Sequence, residues 1–217
     1  MKKLALLAFT LFSAWNMDAK TITGPVDYVS PLVGTQSKHA LSTGNTYPAI
    51  ALPWGMNFWV PQTGKMGDGW AYTYDADKIR GFKQTHQPSP WIDDYGTVLM
   101  TPQNDIIASN AGGAWGGYRP KETVMTPSYL KLRFLRSMCN FELTPTERGA
   151  VCRLTFDCDR PSCLSLLPLK GNYGYTLVPE KNEVIGWTDG HTQDIAEKFK
   201  MHFVLRFKEG DVDFSKT

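Results

Sequence analysis

The amino-acid sequence predicts an all-β protein, an antiparallel β-sandwich. Its 217 residues include 19 glycines, 14 prolines and 12% aromatic residues, a composition that favours short strands and frequent turns over helix bundles. Apolar and polar residues alternate in at least six short segments, and turn signals separate these segments. Short strands at modest spacing are typical of a sandwich.

The first 19 residues have the layout of a secretory signal peptide. Lys2 and Lys3 precede the apolar run LALLAFTLFSAW, and small and polar residues follow it up to Ala19. The run is too short for a membrane span. A buried N-terminal helix is the alternative interpretation. We therefore expect an exported protein, periplasmic or extracellular, with one mature domain over residues 20–217.

The early mature chain, GNTYPAIALPWGMNFWVPQTG, predicts only short strands or edge strands. Pro48, Pro53 and Pro61 interrupt it, and proline removes a backbone donor. Beyond residue 97 the pattern becomes regular. TVLMTP predicts one strand, and YLKLRFLR predicts another in which Leu130 and Leu132 share a face with Phe134.

Two further segments complete the predicted sheets. NFELTPTERGAVCRLTFD predicts a hairpin with its turn at residues 145–149 and with Cys152, Leu154 and Phe156 returning on one face. In KMHFVLRFKEGD, alternate residues face inward: Met201, Phe203, Leu205 and Phe207. Residues 192–199 predict at most one turn of helix.

Charge and cysteine content exclude several classes of protein. The formal charge is +2 and the basic residues are scattered, so no nucleic-acid partner is expected. The four cysteines form no C-x-x-C pair and have no histidine nearby, which argues against zinc. Buried free thiols and one or two disulfides both remain open, with three connectivities allowed. The four positions are Cys139, Cys152, Cys158 and Cys163.

Common catalytic motifs are missing from the sequence. It contains no G-x-S-x-G elbow, no G-x-x-x-x-G-K-[ST] phosphate loop and no H-E-x-x-H zinc pair. The segment YDADK, with Asp75 and Asp77, lacks the glycine and glutamate of an EF-hand loop.

Residues 81–96, GFKQTHQPSPWIDDYG, gather side chains that bind sugars. Aromatic faces pack against the C–H patches of a pyranose, and carboxylates and imidazoles bond its hydroxyls. Prolines keep a helix from forming here, so these groups lie on a loop, where binding residues commonly lie. The alternative is that the tryptophans anchor the core and that Asp93 and Asp94 form a turn.

Three motifs together resemble a known family. They are YVSPLVGT, then GNTYPAIALPWGM with PQTG, then GWAYTYDADKIRGFKQTHQPSPWIDDYG. This order resembles the N-terminal domain of glycoside hydrolase family 92, whose members are exo-acting α-mannosidases. Where family members commonly have a G-F-S-H-T-H-like run, this chain has GFKQTHQPSPW, which keeps Thr85 and His86.

The resemblance implies a two-domain enzyme with a β-sandwich followed by a larger (α/α)6 barrel. In such enzymes hydrolysis is inverting and calcium-dependent, and the barrel supplies both catalytic carboxylates. The present chain is expected to stop before that barrel. It should therefore be non-catalytic alone and should not fully coordinate calcium by itself. Its partners would be mannose-containing glycans and the C-terminal (α/α)6 domain.

The resemblance also implies roles for five residues in a mannoside pocket. Trp70 and Trp91 would stack on sugar rings, His86 would bond a hydroxyl, and Asp93 or Asp94 would brace the loop or bond sugar. Two other functions stay open: a stand-alone carbohydrate-binding module, and an inactive fragment of a truncated gene.

Overall fold

The computed structural model describes residues 23–36, 46–63, 72–86, 95, 98–169, 171–190, 196 and 198–216. The expected signal peptide and most of the predicted helical turn at 192–199 lie outside these residues. In the described part, regular structure consists of β-strands and short 3-10 turns, which confirms the all-β prediction. None of the helices in these residues has the length and hydrophobicity needed to span a bilayer.

Thirteen strands occur in the described residues. In chain order they are β1 (Phe58–Gln62), β2 (Lys78–Ile79), β3 (Gly81–Thr85), β4 (Val98–Asn104), β5 (Gly116–Gly117), β6 (Val124–Thr126), β7 (Tyr129–Phe134), β8 (Cys139–Pro145), β9 (Ala150–Phe156), β10 (Ser162–Pro168), β11 (Tyr173–Val178), β12 (Glu183–Thr188) and β13 (Met201–Arg206). The 3-10 turns are Pro25–Tyr28, Pro120–Glu122, Pro179–Lys181 and Phe214–Lys216.

Two four-stranded antiparallel sheets form the sandwich. The first has the order β1-β3-β4-β10 and the second the order β6-β7-β8-β9. A three-stranded sheet, β11-β12-β13, and the β2-β5 pair complete the strands. The hairpins β6-β7, β7-β8 and β8-β9 join neighbours in sequence, whereas β4 pairs with β10 across about sixty residues.

The main core lies between these two four-stranded sheets. Phe82 of β3 stacks on Phe141 of β8, with ring centroids 4.1 Å apart, and both side chains are buried. Trp59 packs against Phe82 from within the first sheet, and Phe134 meets Phe141 edge-on within the second. Offset aromatic pairs of this kind contribute about 0.5–1.5 kcal/mol beyond their buried area.

The predicted strand faces are largely as the sequence indicates. Leu130, Leu132 and Phe134 are all buried on the core face of β7. In the predicted hairpin, β8 and β9 pair so that Leu143 opposes Cys152 and Phe141 opposes Leu154. Cys152 is nonetheless exposed, because β9 is the edge strand of its sheet.

The four cysteine thiols are all free in the structure, so no disulfide closes any loop among them. Cys139 is buried at the start of β8, and this burial raises the pKa of its thiol to about 12. It is therefore a protonated, unreactive core thiol at neutral pH.

In the three-stranded sheet, glycines lie opposite aromatic residues. Gly186 faces Phe203 across β12 and β13, and a Cβ at Gly186 would come within 2.2 Å of the Phe203 ring. Gly174 faces Trp187, whose indole would meet a Gly174 Cβ at 2.5 Å. The aromatic side chain therefore occupies the volume that the glycine leaves, and it shields the exposed strand backbone.

Gly81 opens β3 in a conformation that requires glycine. Its φ is +146°, and a Cβ there would lie 2.4 Å from the carbonyl oxygen of Met100 in the neighbouring strand β4. Without a side chain, β3 can approach β4 closely at the point where Phe82 pairs with Met100.

We predict that Gly81→Ala lowers the free energy of unfolding by about 1–3 kcal/mol, because the new methyl group meets backbone at an unfavourable φ. Urea denaturation of the chain measures this change. Gly24→Ala is the matched control, since Gly24 has an extended backbone and a methyl group added there would have no neighbour within 4 Å. Equal stability of the two variants would contradict the close-approach argument.

A polar network ties the ends of three strands together. Arg133 of β7 donates to Asn140 of β8 at 2.8 Å and to the carboxylate of Asp157, which also accepts from Asn140 Nδ2 at 2.9 Å. The hydrogen bond from Arg133 and its charge lower the pKa of the Asp157 carboxyl.

A carboxyl group whose pKa is lower in the folded state stabilises that state at pH values above its unfolded-state pKa of about 4. This stabilisation is lost as the pH falls through the pKa of the folded state. We therefore expect Asp157→Asn to be less stable than the native chain at pH 7, with the gap closing between about pH 5 and pH 2. Denaturant melts across this range measure the gap. Asp159→Asn is the control, because exposed Asp159 makes none of these three hydrogen bonds. A gap that is constant with pH would refute the linkage.

Candidate functional site

Among the five residues that the sequence indicated as sugar contacts, the structure describes one, His86. Trp70, Trp91, Asp93 and Asp94 lie outside the described residues, so their predicted roles stay predictions. His86 directly follows β3, at the end of the sandwich where β3 ends and β1 begins. This end, formed by residues 47–58, 84–86, 95 and 145–149, is called the His86 end below.

The imidazole of His86 is fixed in orientation by Tyr95. Its Nδ1 lies 3.0 Å from the Tyr95 carbonyl oxygen, and its ring stacks on the Tyr95 ring with centroids 4.9 Å apart at 19°. Tyr95 is supported in turn by Phe199, whose ring meets it edge-on at 5.3 Å. Because a carbonyl oxygen only accepts hydrogen bonds, Nδ1 carries the proton, and Nε2 carries the lone pair of the neutral ring.

Strand register fixes which segments meet at the His86 end. Phe58, the first residue of β1, pairs with Thr85, the last residue of β3. Continued by one position, this register brings Asn57 next to His86. Tyr47 packs edge-on against Phe58 at 6.0 Å, which adds a second aromatic pair at this end.

The turn between β8 and β9 supports this end from the second sheet. The backbone amide of Met56 donates to the Glu147 carbonyl at 2.7 Å, and the indole of Trp59 donates to the Gly149 carbonyl at 3.1 Å. Gln84 of β3 reaches the Arg148 carbonyl at 3.5 Å. The loop before β1 and the end of β3 are therefore held on one rigid turn.

Trp54 is a residue at this end that the sequence argument did not select. Its side chain is 99% exposed, although its backbone adopts a left-handed φ of +65° that is costly for a residue with a Cβ. Gly55 closes the turn by donating to the Leu52 carbonyl at 3.0 Å. Strained backbone of this kind is found most often at functional sites. The sequence signal was the Pro-Trp-Gly triplet at residues 53–55, which indicates a turn.

Two buried polar atoms at the His86 end have no hydrogen-bond partner among the described residues. They are the Asn57 side-chain oxygen and the Thr85 hydroxyl oxygen, on residues that are 1% and 0% exposed. Leaving such a group unsatisfied costs about 1–3 kcal/mol, so unsatisfied groups are rare in folded proteins. Asn57 precedes Phe58, and Thr85 pairs with Phe58, so both residues lie near His86 in the chain or in the strand register.

The described residues at this end offer an oriented imidazole at His86 and an exposed indole at Trp54. Both groups are suited to contact a polar, partly apolar ligand such as a sugar.

A calcium ion does not fit the described residues. Calcium takes six to eight oxygen ligands, often several from carboxylates. The described part of the chain has no group of three or more His, Cys, Asp or Glu side chains that could hold a metal ion.

Comparison with known proteins agrees with this fold. The model of the glycosyl hydrolase family 92 N-terminal domain matches residues 28–217. The structure is similar to the family GH92 inverting mannosidase BT2199 from Bacteroides thetaiotaomicron VPI-5482, with a TM-score of 0.77 and 39% sequence identity over 84% of this chain. No curated protein sequence matches the chain.

More distant structures share the fold. The family GH92 α-mannosidase BT3965 from Bacteroides thetaiotaomicron has a TM-score of 0.62 at 21% identity over 75% of this chain. The GH92 family glycosyl hydrolase ccman5 has a TM-score of 0.61 at 16% identity over 82% of this chain. The chain covers 25%, 23% and 25% of these three proteins, about a quarter of each. By its family match over residues 28–217, the chain belongs to glycosyl hydrolase family 92, as the N-terminal domain.

Proposed function

We propose that this chain is the substrate-contacting N-terminal domain of an exported exo-α-mannosidase of the α-1,2-mannosidase type. In this proposal the His86 end forms the sandwich's part of a mannoside pocket, and the catalytic carboxylates come from a C-terminal (α/α)6 domain. Calcium would be fully coordinated in the complete enzyme and not by this chain alone. The likeness to an inverting mannosidase at 39% identity supports the choice of sugar.

The observation that carries the proposal is the imidazole of His86, which Tyr95 holds in one orientation at the end of β3. A pyranose hydroxyl both donates and accepts, so it can bond an imidazole nitrogen in this position. Exposed Trp54 adds an apolar face for the C–H side of a sugar.

The five residues indicated by the sequence keep their roles in this proposal. Trp70 and Trp91 stack on sugar rings, His86 bonds a hydroxyl, and Asp93 or Asp94 braces the loop or bonds sugar. The apolar run after Lys2 and Lys3 directs export, which places the enzyme where it meets glycans outside the cytoplasm.

In the enzyme that contains this domain, we expect Trp70→Ala and His86→Ala each to lower kcat/KM on α-1,2-mannobiose by about tenfold or more, because each removes a sugar contact. The initial rate of mannose release, measured at saturating and at limiting substrate concentrations, gives the change. His202→Ala is the control, since His202 is exposed on β13. If kcat/KM of either variant lies within twofold of the control value, that residue does not contact the sugar in the pocket.

The chain alone provides a second part of this test. Calorimetry of residues 20–217 with mannose and α-1,2-mannobiose, with calcium present, should detect at most weak binding, and no mannose should be released. Release of mannose by this chain would contradict the proposal that the catalytic carboxylates come from the C-terminal domain, because it would require a carboxylate pair within these residues.

The hydrogen bond to the Tyr95 carbonyl oxygen also predicts which nitrogen of the His86 imidazole carries the proton. In the neutral imidazole we expect the proton on Nδ1 and the lone pair on Nε2, so Nε2 is the nitrogen that accepts from a sugar hydroxyl. Long-range proton–nitrogen NMR spectra of the imidazole distinguish the two tautomers. A proton on Nε2 would show that the Tyr95 contact is not a hydrogen bond and would remove the acceptor role.

A further inference from the structure

Arg80 is a partly buried arginine whose charge is unpaired in the described part of the chain. It lies between β2 and β3, where its backbone amide donates to the Gln62 carbonyl at 2.9 Å. Its side-chain Nε is buried and makes no hydrogen bond. Arg80 also takes no part in the ion pairs that the described residues form. Charges removed from water in proteins are usually paired, so this arrangement is uncommon.

The electrostatics of Arg80 agree with this geometry. Burial lowers the pKa of its guanidinium, and no carboxylate among the described residues counters that effect. A nearby carboxylate would favour the charged form and raise the pKa instead. The positive charge is therefore partly desolvated without compensation from an acidic side chain.

The indole of Trp115 holds the guanidinium of Arg80 in position. The central carbon of the guanidinium lies over the ring, 4.8 Å from its centroid, which is the distance of a cation–π contact. The ring attracts the positive charge, but it does not offer the paired oxygen acceptors that match the five N–H donors of an arginine. The contact orients the side chain and leaves its strongest hydrogen-bonding capacity unused.

Arg136 fixes the segment that carries Trp115. Its guanidinium donates to the carbonyls of Gly113 and Trp115, both at 2.9 Å. The segment can approach Arg136 because Gly116 has no side chain: a Cβ there would lie 2.9 Å from the Arg136 Cβ. Arg136 takes no part in the ion pairs of the described residues. Two arginines that lack a carboxylate partner in the described structure therefore contact Trp115.

The chemistry of these groups indicates an oxyanion as the ligand. The N–H groups of a guanidinium form a rigid fork that matches two oxygens of a phosphate or sulfate group. Two positive charges disfavour a metal cation, and a neutral ligand would leave the desolvated charge of Arg80 uncompensated. An arginine already oriented by an aromatic ring also loses less side-chain freedom when the ligand binds.

We propose that Arg80, oriented by Trp115, binds the oxyanion of a phosphate or sulfate group, with Arg136 adding positive charge beside it. The same chemistry serves a free inorganic ion and a phosphate or sulfate monoester on a larger molecule. Arg80 precedes β3, whereas His86 follows it, so this site is separate from the proposed mannoside pocket.

The test is an NMR titration of the isotope-labelled full chain with sodium phosphate, observed at the arginine Nε–H and tryptophan indole N–H groups. We expect saturable shifts of the Arg80 Nε–H and the Trp115 indole N–H, because the oxyanion pairs with the first group and lies beside the second. Sodium chloride at equal ionic strength is the reference. Methyl phosphate is titrated in parallel. Binding of both phosphates assigns the site to monoesters, and binding of inorganic phosphate alone assigns it to the free ion.

A conservative variant tests the role of the arginine fork. Arg80→Lys keeps the positive charge and removes the fork, so we expect about tenfold weaker phosphate binding, measured at the Trp115 indole. Arg153→Lys is the matched control, because Arg153 is exposed on β9 and already pairs with Glu142 at 3.5 Å. Its phosphate affinity should equal that of the native chain.

Three results would overturn the proposal: no shift of the Arg80 Nε–H in the native chain, equal shifts with chloride and phosphate, or phosphate affinity of Arg80→Lys within twofold of the control. If Arg80→Lys does not fold, the comparison of phosphate with chloride in the native chain decides the question. Mannose should leave the Arg80 and Trp115 signals unchanged, so failure of this site is distinguishable from failure of the mannoside pocket.

Discussion

The stack of Phe82 on Phe141 joins the two four-stranded sheets, and the rest of the structure depends on it. It is the closest aromatic contact between β3 and β8, and it is surrounded by Trp59 and Phe134 from the same two sheets. Because interiors are close-packed, a ring in this position fixes the distance and rotation between the sheets. The register of β3 against β1 then determines where every side chain at the end of β3 lies.

The candidate site follows from that arrangement. The β8-β9 turn is a continuation of the sheet that carries Phe141, and it accepts hydrogen bonds from Met56, Trp59 and Gln84. The loop with Trp54 and the end of β3 with His86 are therefore positioned by a hairpin in the opposite sheet. Binding residues on loops that a rigid scaffold holds need little ordering when a ligand arrives, which preserves binding free energy.

The sequence predicted the strands well because alternation is a local signal. The core face of β7, with Leu130, Leu132 and Phe134, and the β8-β9 hairpin with its turn at residues 145–149 could be read from period-two patterns. The exposure of Cys152 could not be predicted from such a pattern. It depends on the position of β9 at the edge of its sheet, and the order of strands in a sheet is not a local property of the sequence. The same reason explains why Trp54 was missed. Its exposure depends on a turn that is anchored far along the chain at Glu147.

The glycine and aromatic pairs of the third sheet also constrain how the sequence can change over time. Phe203 fills the volume that Gly186 leaves empty, and Trp187 does the same for Gly174. A larger residue at either glycine collides with its ring, while a smaller residue in place of the ring uncovers the strand backbone. Neither residue of a pair can be replaced alone without loss of stability. Where this sheet varies in sequence, we therefore expect the glycine and its aromatic partner to change together.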